Sequence, residues 1–364
     1  MKDFKIHNYK CLGNVEISDL KRVNLFTGKN NTGKSTILEA LSLFAVKGNF
    51  NWIRQLLEVR GEINNYRDET VSVENNINIL SSFFSNRKVG FNENDFFKIA
   101  TDKDEVIFRF VRFLEEEVVE KDDTGSEVII GKRKILTEDF NDDSVSFGLE
   151  IKSKGNSQIY HLDRHLFRRR YTTTDSLNFH LINSKGDDII NSASLWDKIT
   201  LSEKEEFVID ALKIIEPNIN RLSFVGEDNY RNSRYPIVKL NTTKNIYPLK
   251  AMGDGINRIL NLTLALVNSD GGFLLIDECE NGLHHSIQDK LWEIIFEIAE
   301  KLDIQVFATT HSNDSINSFA KVLEKNARLD GALFRLERKQ DSVIANPFSK
   351  EEITVAANQG INLR

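Results

Sequence analysis

Apolar residues change their spacing several times along the chain, and each change predicts a different kind of element. Residues 3–8 alternate weakly and residues 15–17 form a short apolar run, which predicts a strand hairpin. Val23 to Phe26 then lead straight into a Gly-rich loop. The segment STILEALSLF at residues 35–44 puts apolar residues at helical spacing without Pro or Gly, so the order is strand, loop, helix. From about residue 50 to 200, polar turns such as GEINNYRDE, EKDDTG, NDDS and SKGN separate short runs. Several of those runs (VIFRFVRFL, VIIG, VSFGLEI, FHLI) have strand character. Residues 202–216 predict a helix with a Ser N-cap and early acidic residues, stopped by Pro217, and NRLSFVG and YPIVKL predict two more strands. The last third predicts a helix over 256–268, the strand FLLI, a helix over 287–302 and the buried strand VFATT.

Helices alternating with near-continuous apolar strands are what a mostly parallel sheet covered on both faces requires. The expected architecture is α/β, with residues 1–50 and 236–364 forming one discontinuous core. Residues 51–235 are expected as an inserted β-rich and helical region. The chain has no internal repeat and no low-complexity tract.

The 364 residues leave room for roughly two to three domains. Hydrophobic residues at 40% and charged residues at 28% exclude a disordered acidic chain and a membrane protein. No stretch approaches the roughly 20 apolar residues of a membrane span, and MKDFKIHNYK is not a secretory signal. No membrane partner is expected, and the cytoplasm is the default compartment. Two cysteines, Cys11 and Cys279, make no disulfide framework. A net charge of -7 argues against coating nucleic acid with the whole surface but leaves a local basic groove open.

The chemistry concentrates in three places. Residues 28–35 read GKNNTGKS, an instance of G-x-x-x-x-G-K-[S/T] between a predicted strand and a predicted helix. Gly28 and Gly33 let the backbone wrap phosphates, and the amides of Lys29, Asn30, Asn31, Thr32 and Thr36 with the helix start supply positive potential. Lys34 reaches the β and γ phosphates, and Ser35 places its hydroxyl on Mg²⁺. An ordinary helix-capping turn is the alternative; the strand and helix flanks favour a nucleotide. Such a loop reads phosphates, so ATP and GTP are not distinguished. At the end of FLLIDE, Asp277 suits Mg²⁺ coordination and Glu278 suits a general base that polarises water. His311, ending VFATTH, is placed to contact the γ-phosphate or the water, against the plainer reading of a surface or core histidine. Cys279, Glu280, His284 and His285 have zinc-ligand residue types but lack the spacing of a closed structural site.

With these pieces in order, the sequence resembles the ABC-type P-loop ATPase heads of the SMC/RecF/OLD group, and within it small OLD-like AAA-family ATPases of bacterial anti-phage systems. FKIHNYKCLGNVEI, followed by the strand into GKNNTGKST, is similar to the opening of RecF and SMC heads. PLKAMGDGINRIL stands in the place of the ABC signature, so the resemblance assigns Ala251, Met252, Gly253, Asp254 and Gly255 to a loop acting in trans on the partner's γ-phosphate. The family usually carries serine where Ala251 stands, which removes one γ-phosphate hydrogen bond and puts the hydrolysis rate in question. Asn281, Gly282, Leu283 and His284 correspond to the dimer-crossing loop, with His285 where relatives often carry proline. His311 matches the switch histidine. The resemblance implies ATP and Mg²⁺ as ligands and a homodimer, or higher homo-oligomer, closed around ATP.

OLD nucleases append a nuclease domain, whereas 53 residues follow His311, fewer than the roughly 100 such a domain needs. An ATPase switch serving a separate effector, a nuclease or toxin, is the expected function. The alternatives are a RecF-like ATP-dependent DNA clamp in repair, and a nucleotide-stapled protein without turnover. The cluster RHLFRRRY (Arg164, Arg168, Arg169, Arg170) would contact nucleic acid or an acidic partner in two of these readings, or lie solvated and balanced by nearby acids.

Overall fold

The computed structural model describes residues 1–63, 72–121, 127–137, 144–168, 177–184, 191–226, 234–326, 328–339 and 342–359. The chain enters as an antiparallel hairpin of β1 (Phe4–His7) and β2 (Asn14–Ile17), whose alternation buries Phe4 and Ile6 and exposes Lys5 and His7. β3 (Val23–Thr27) is buried at all five positions, as a strand covered on both faces must be. It runs through the Gly-rich loop into α1 (Lys34–Ala45). Two helices follow, α2 (Phe50–Val59) and α3 (Val73–Leu80), capped by the side chains of Asn49 and Ser72.

β4 (Phe96–Thr101), β5 (Glu105–Lys121), β6 (Glu127–Leu136), β7 (Ser146–Ser153) and β8 (Asn156–His161) join the opening hairpin in one antiparallel sheet of order β2-β1-β4-β5-β7-β8. β6 pairs with the distal half of the long β5. β9 (Phe179–Ile182), α4 (Ser192–Ile199) and α5 (Lys204–Leu212) come next, then a small antiparallel sheet of β10 (Ile219–Gly226), β11 (Arg234–Leu240) and β12 (Ile246–Pro248). The last third supplies α6 (Asp254–Val267), β13 (Phe273–Ile276), α7 (His285–Lys301), β14 (Gln305–Thr309) and α8 (Asn313–Lys325). It ends with β15 (Gly331–Lys339), β16 (Ser342–Phe348) and α9 (Lys350–Gln359).

The core sheet has the order β16-β15-β3-β14-β13-β9 and is parallel except for β16. Its two faces feed two apolar clusters. Leu25, Leu274, Ile276, Val306 and Ala308 pack with α6, α7 and α8. Phe26, Leu275 and Phe307 pack on the other side with Ile37 and Leu41 of α1 and with Phe4, Ile6, Ile99 and Phe108 of the antiparallel sheet. Helix α1 is thus held between two sheets, and the loop at its start is fixed from both sides.

The structure differs from the sequence reading at three points. Strands within residues 51–235 join both the core sheet and the sheet of the opening hairpin. Phe179–Ile182 pairs in parallel with Phe273–Ile276, and β4 extends the sheet of the opening hairpin. The helix expected over 202–216 covers only Lys204–Leu212, because residues 213–216 close hydrogen-bonded turns and the cap position falls on Glu203, with Ser202 donating its hydroxyl to the Ile199 carbonyl while accepting the Lys204 amide (3.3 Å). The hairpin of β15 and β16 is not among the predicted strands: charges crowd the second half of β15, and Pro347 interrupts β16.

A buried ionic knot ties α1 to its neighbours. Glu39 accepts from the Tyr9 hydroxyl and from Lys10 Nζ (3.0 Å), and it pairs with Arg60, whose guanidinium lies 4.6 Å from the Phe83 ring centroid. Burial pushes the Glu39 carboxyl up, but Lys10 and Arg60 outweigh it and hold it below its ordinary value. Stability from a depressed carboxyl is present above its unfolded pKa and lost as pH falls through the folded one. Glu39→Gln should therefore cost about 3 kcal/mol at pH 7, since it leaves two cations uncompensated. In urea unfolding the gap to wild type should narrow as pH drops below about 4; a gap independent of pH would contradict this account.

Candidate nucleotide site

The loop of residues 28–35 depends on two glycines for different reasons. Gly28 has φ +145°, and a Cβ there would stand 2.6 Å from the carbonyl oxygen of Leu336 on β15. Gly33 has φ +90°, and a Cβ would meet Leu12 Cδ2 at 2.6 Å. No side chain caps α1 at Gly33, so a cap does not compete with an anion for its first-turn amides. Lys34 Nζ folds back to donate to the carbonyls of Gly28 (2.7 Å) and Lys29 (3.0 Å). Thr32 closes the loop by donating to the Lys29 carbonyl (2.9 Å), and Thr36 Oγ1 lies 3.7 Å from Cys11 Sγ.

Ser35 Oγ donates to Asp277 Oδ1 at 3.0 Å, which joins the phosphate loop to the end of β13. Thr309, at the end of β14, donates its hydroxyl to the same carboxylate oxygen (2.6 Å) and accepts the Glu278 amide (2.9 Å). Ser35 and Asp277 are both oxygen donors and converge, as a hard divalent cation requires. Glu278 has φ +49°, a left-handed conformation that costs about 1–2 kcal/mol for a residue with a Cβ. It persists because the surroundings hold it. Besides Thr309, the buried Arg258 of α6 donates through Nη2 to the carbonyls of Asp277 (3.2 Å) and Glu278 (3.3 Å), and through Nη1 to that of Asn183 (3.0 Å). Burial lowers the Arg258 guanidinium from its ordinary value, against the pull of Cys279, Asp277, Glu278 and Glu280. His311 sits just past β14, with Nδ1 3.8 Å from Glu278 Oε1.

The structure therefore brings together residues 28–35, Asp277, Glu278 and His311. Residues 281–284 form turns directly after the carboxylates, with the Asn281 amide donating to the Glu278 carbonyl (3.0 Å) and the Leu283 amide to that of Glu280 (3.0 Å). The Asn281 side chain donates to the Ser184 carbonyl, and His284 caps α7 by accepting from the Ser286 amide (3.3 Å). The signature segment adjoins this turn within the chain: a Cβ on Gly255 would lie 3.2 Å from the Gly282 oxygen. Ala251 and Met252 belong to a 3₁₀ turn, Gly253 with φ +101° holds the cap position of α6, and Asp254 begins the helix. The position from which a serine would cap this helix is Gly253, two residues after Ala251.

Arg258 and Thr309 were not anticipated, one hidden in an apolar helical pattern and the other at a strand end. The only signals are a lone cation one turn after GDG and the paired threonines before His311. Arg164 is exposed, 3.9 Å from Glu115, whereas the Arg168 side chain, Arg169 and Arg170 lie outside the described residues. The Cys279 thiol is buried 3.3 Å from Ser315 Oγ, and burial pushes it well up.

Geometry and fold together define a P-loop ATPase fold with an SMC-head-like architecture. A solved SMC head bound to the C-terminal winged-helix domain of ScpA matches with a TM-score of 0.50 at 13% identity, over 96% of this chain and 97% of that one. The family described as "AAA domain, putative AbiEii toxin, Type IV TA system" matches residues 23–317, and the chain belongs to that family. It is 24% identical over 384 residues to a protein of Helicobacter pylori named ATP/GTP phosphatase, covering 97% of this chain and 96% of that protein. It is also 28% identical over 114 residues to an uncharacterised protein of Methanocaldococcus jannaschii, covering 31% of this chain and 99% of that protein. Among the described residues, no helix is long and apolar enough to cross a membrane.

Arg258→Met strips three carbonyls of a shared donor while keeping an apolar stem. It should lower the unfolding free energy by about 1–3 kcal/mol in urea titration, with Arg258→Lys recovering only part. Unchanged stability in the Met variant would mean that the carbonyls do not depend on Arg258.

Proposed function

We propose that this chain is an ATP-hydrolysing switch that closes into a homodimer around Mg-ATP. Through that cycle it gates a separate effector, a nuclease or toxin, in a bacterial anti-phage module. The observation that carries the reading is the 3.0 Å link from Ser35 to Asp277, with Glu278 next in the chain and held in place by Thr309 and Arg258. Ser35 and Asp277 would hold magnesium, which when bound neutralises charge on the β and γ phosphates. Lys34 would exchange the carbonyls of Gly28 and Lys29 for phosphate oxygens, and Glu278 would orient the attacking water and accept its proton. The N-terminus of α6, without a side-chain cap, supports a composite site in which residues 251–255 of one copy meet the nucleotide on the other.

The relative named ATP/GTP phosphatase supports triphosphate hydrolysis. The toxin and toxin-antitoxin wording of the family description is in keeping with a defence module. The solved head bound to a winged-helix domain supports a partner-facing role for heads of this shape.

Solution mass and phosphate release, each with and without Mg-ATP, test the proposal. Wild type should turn over ATP. Glu278→Gln should accumulate as an ATP-bound dimer with turnover reduced on the order of 100-fold or more. Lys34→Ala should lose both binding and turnover. A chain that neither binds nor hydrolyses ATP, and that Lys34→Ala leaves unchanged, would overturn it.

A further inference from the structure

One carboxylate beside the site is unused by that account. Glu280 is two residues past Glu278, and its side chain is 10% exposed, against 37% for Glu278 and 41% for His311. Its Oε1 accepts the backbone amide of His311 at 3.0 Å and lies 3.2 Å from His311 Nδ1. Its Oε2 faces the Cys279 thiol at 3.6 Å, and that thiol is itself pinned against Ser315. The carboxylate is therefore held at both oxygens and grips the histidine at two atoms.

We propose that Glu280 is a positioning residue for His311 that decides which ring nitrogen faces the reaction, on the reading that the site hydrolyses a nucleoside triphosphate. An ionised carboxylate only accepts hydrogen bonds, so it favours the tautomer with hydrogen on the ring nitrogen 3.2 Å away. Nδ1 is then the nitrogen that carries the hydrogen, and Nε2 keeps its lone pair, able to accept a hydrogen bond from the water but not to donate one to a phosphate oxygen. The opposite tautomer would set a nitrogen lone pair against a carboxylate oxygen. The second contact, through the His311 amide, fixes the backbone from which the ring projects. Glu280 also opens the dimer-crossing turn, since its carbonyl accepts the Leu283 amide at 3.0 Å. Movement of that turn on engaging a partner copy is thereby passed to the His311 ring.

Two readouts test this, and only one needs turnover. Long-range proton–nitrogen spectra of the neutral ring, assigned with His311→Gln, should show hydrogen on Nδ1 in wild type, retention in Glu280→Gln, and loss in Glu280→Ala. In steady-state ATP hydrolysis, Glu280→Ala should lower kcat about 10- to 100-fold with KM unchanged, the range for a residue that orients a functional histidine. Glu280→Gln should restore most of it, because an amide oxygen still accepts. Adding Glu280→Ala to His311→Ala should cost nothing further, since a residue acting only through another is silent once that one is gone. Melting temperatures check that the variants fold. Hydrogen on Nε2 in wild type, additive losses in the double variant, or a Gln variant no better than Ala would overturn the proposal. If wild type shows no turnover, the hydrolysis reading fails and the ring spectra decide the positioning by themselves.

Discussion

A single carboxylate oxygen organises the site. Asp277 Oδ1 receives hydroxyl donors from Ser35, which opens α1, and from Thr309, which closes β14, while its own backbone belongs to the end of β13. Three adjacent parts of the core sheet thus converge on one acceptor. They arrive there because β3, β14 and β13 are parallel neighbours whose C-terminal ends lie on the same edge. Everything the chain could do with a nucleotide depends on that shared edge.

The same edge explains why Glu278 tolerates a left-handed backbone. Its amide goes to Thr309, its carbonyl goes to Arg258, and the following amide of Cys279 goes to the Thr309 carbonyl at 3.0 Å. The strain is carried by contacts from two other elements. Arg258 belongs to α6, whose first turn is partly exposed. A rotation of that helix cannot leave the two carbonyls beside the site undisturbed.

Contiguous features were legible in the sequence, and features assembled across the sheet were not. The phosphate loop could be read because its glycines, lysine and serine fall within eight positions between a strand and a helix. FLLIDE could be read because an apolar run ending in two acids is a local pattern. Glu280, Thr309 and Arg258 acquire meaning only when β13, β14 and α6 are placed side by side, and a lone polar residue in an apolar run carries no such information. β9 was visible as FHLI, but four residues cannot say which sheet they join. The parallel pairing with β13, set by the return of the chain after β8, makes it part of the core.

The contact between Gly28 and the Leu336 carbonyl has a consequence in time as well as in space. β3 lies between β14 and β15, and the phosphate loop is backed by β15, which follows it by about 300 residues. During synthesis the loop emerges before its supporting strand, with about 300 residues between them. A nascent chain therefore carries the complete phosphate-binding motif long before it carries a loop of the right shape. Any capture of a nucleotide by that loop would wait until β15 has joined the sheet beside β3.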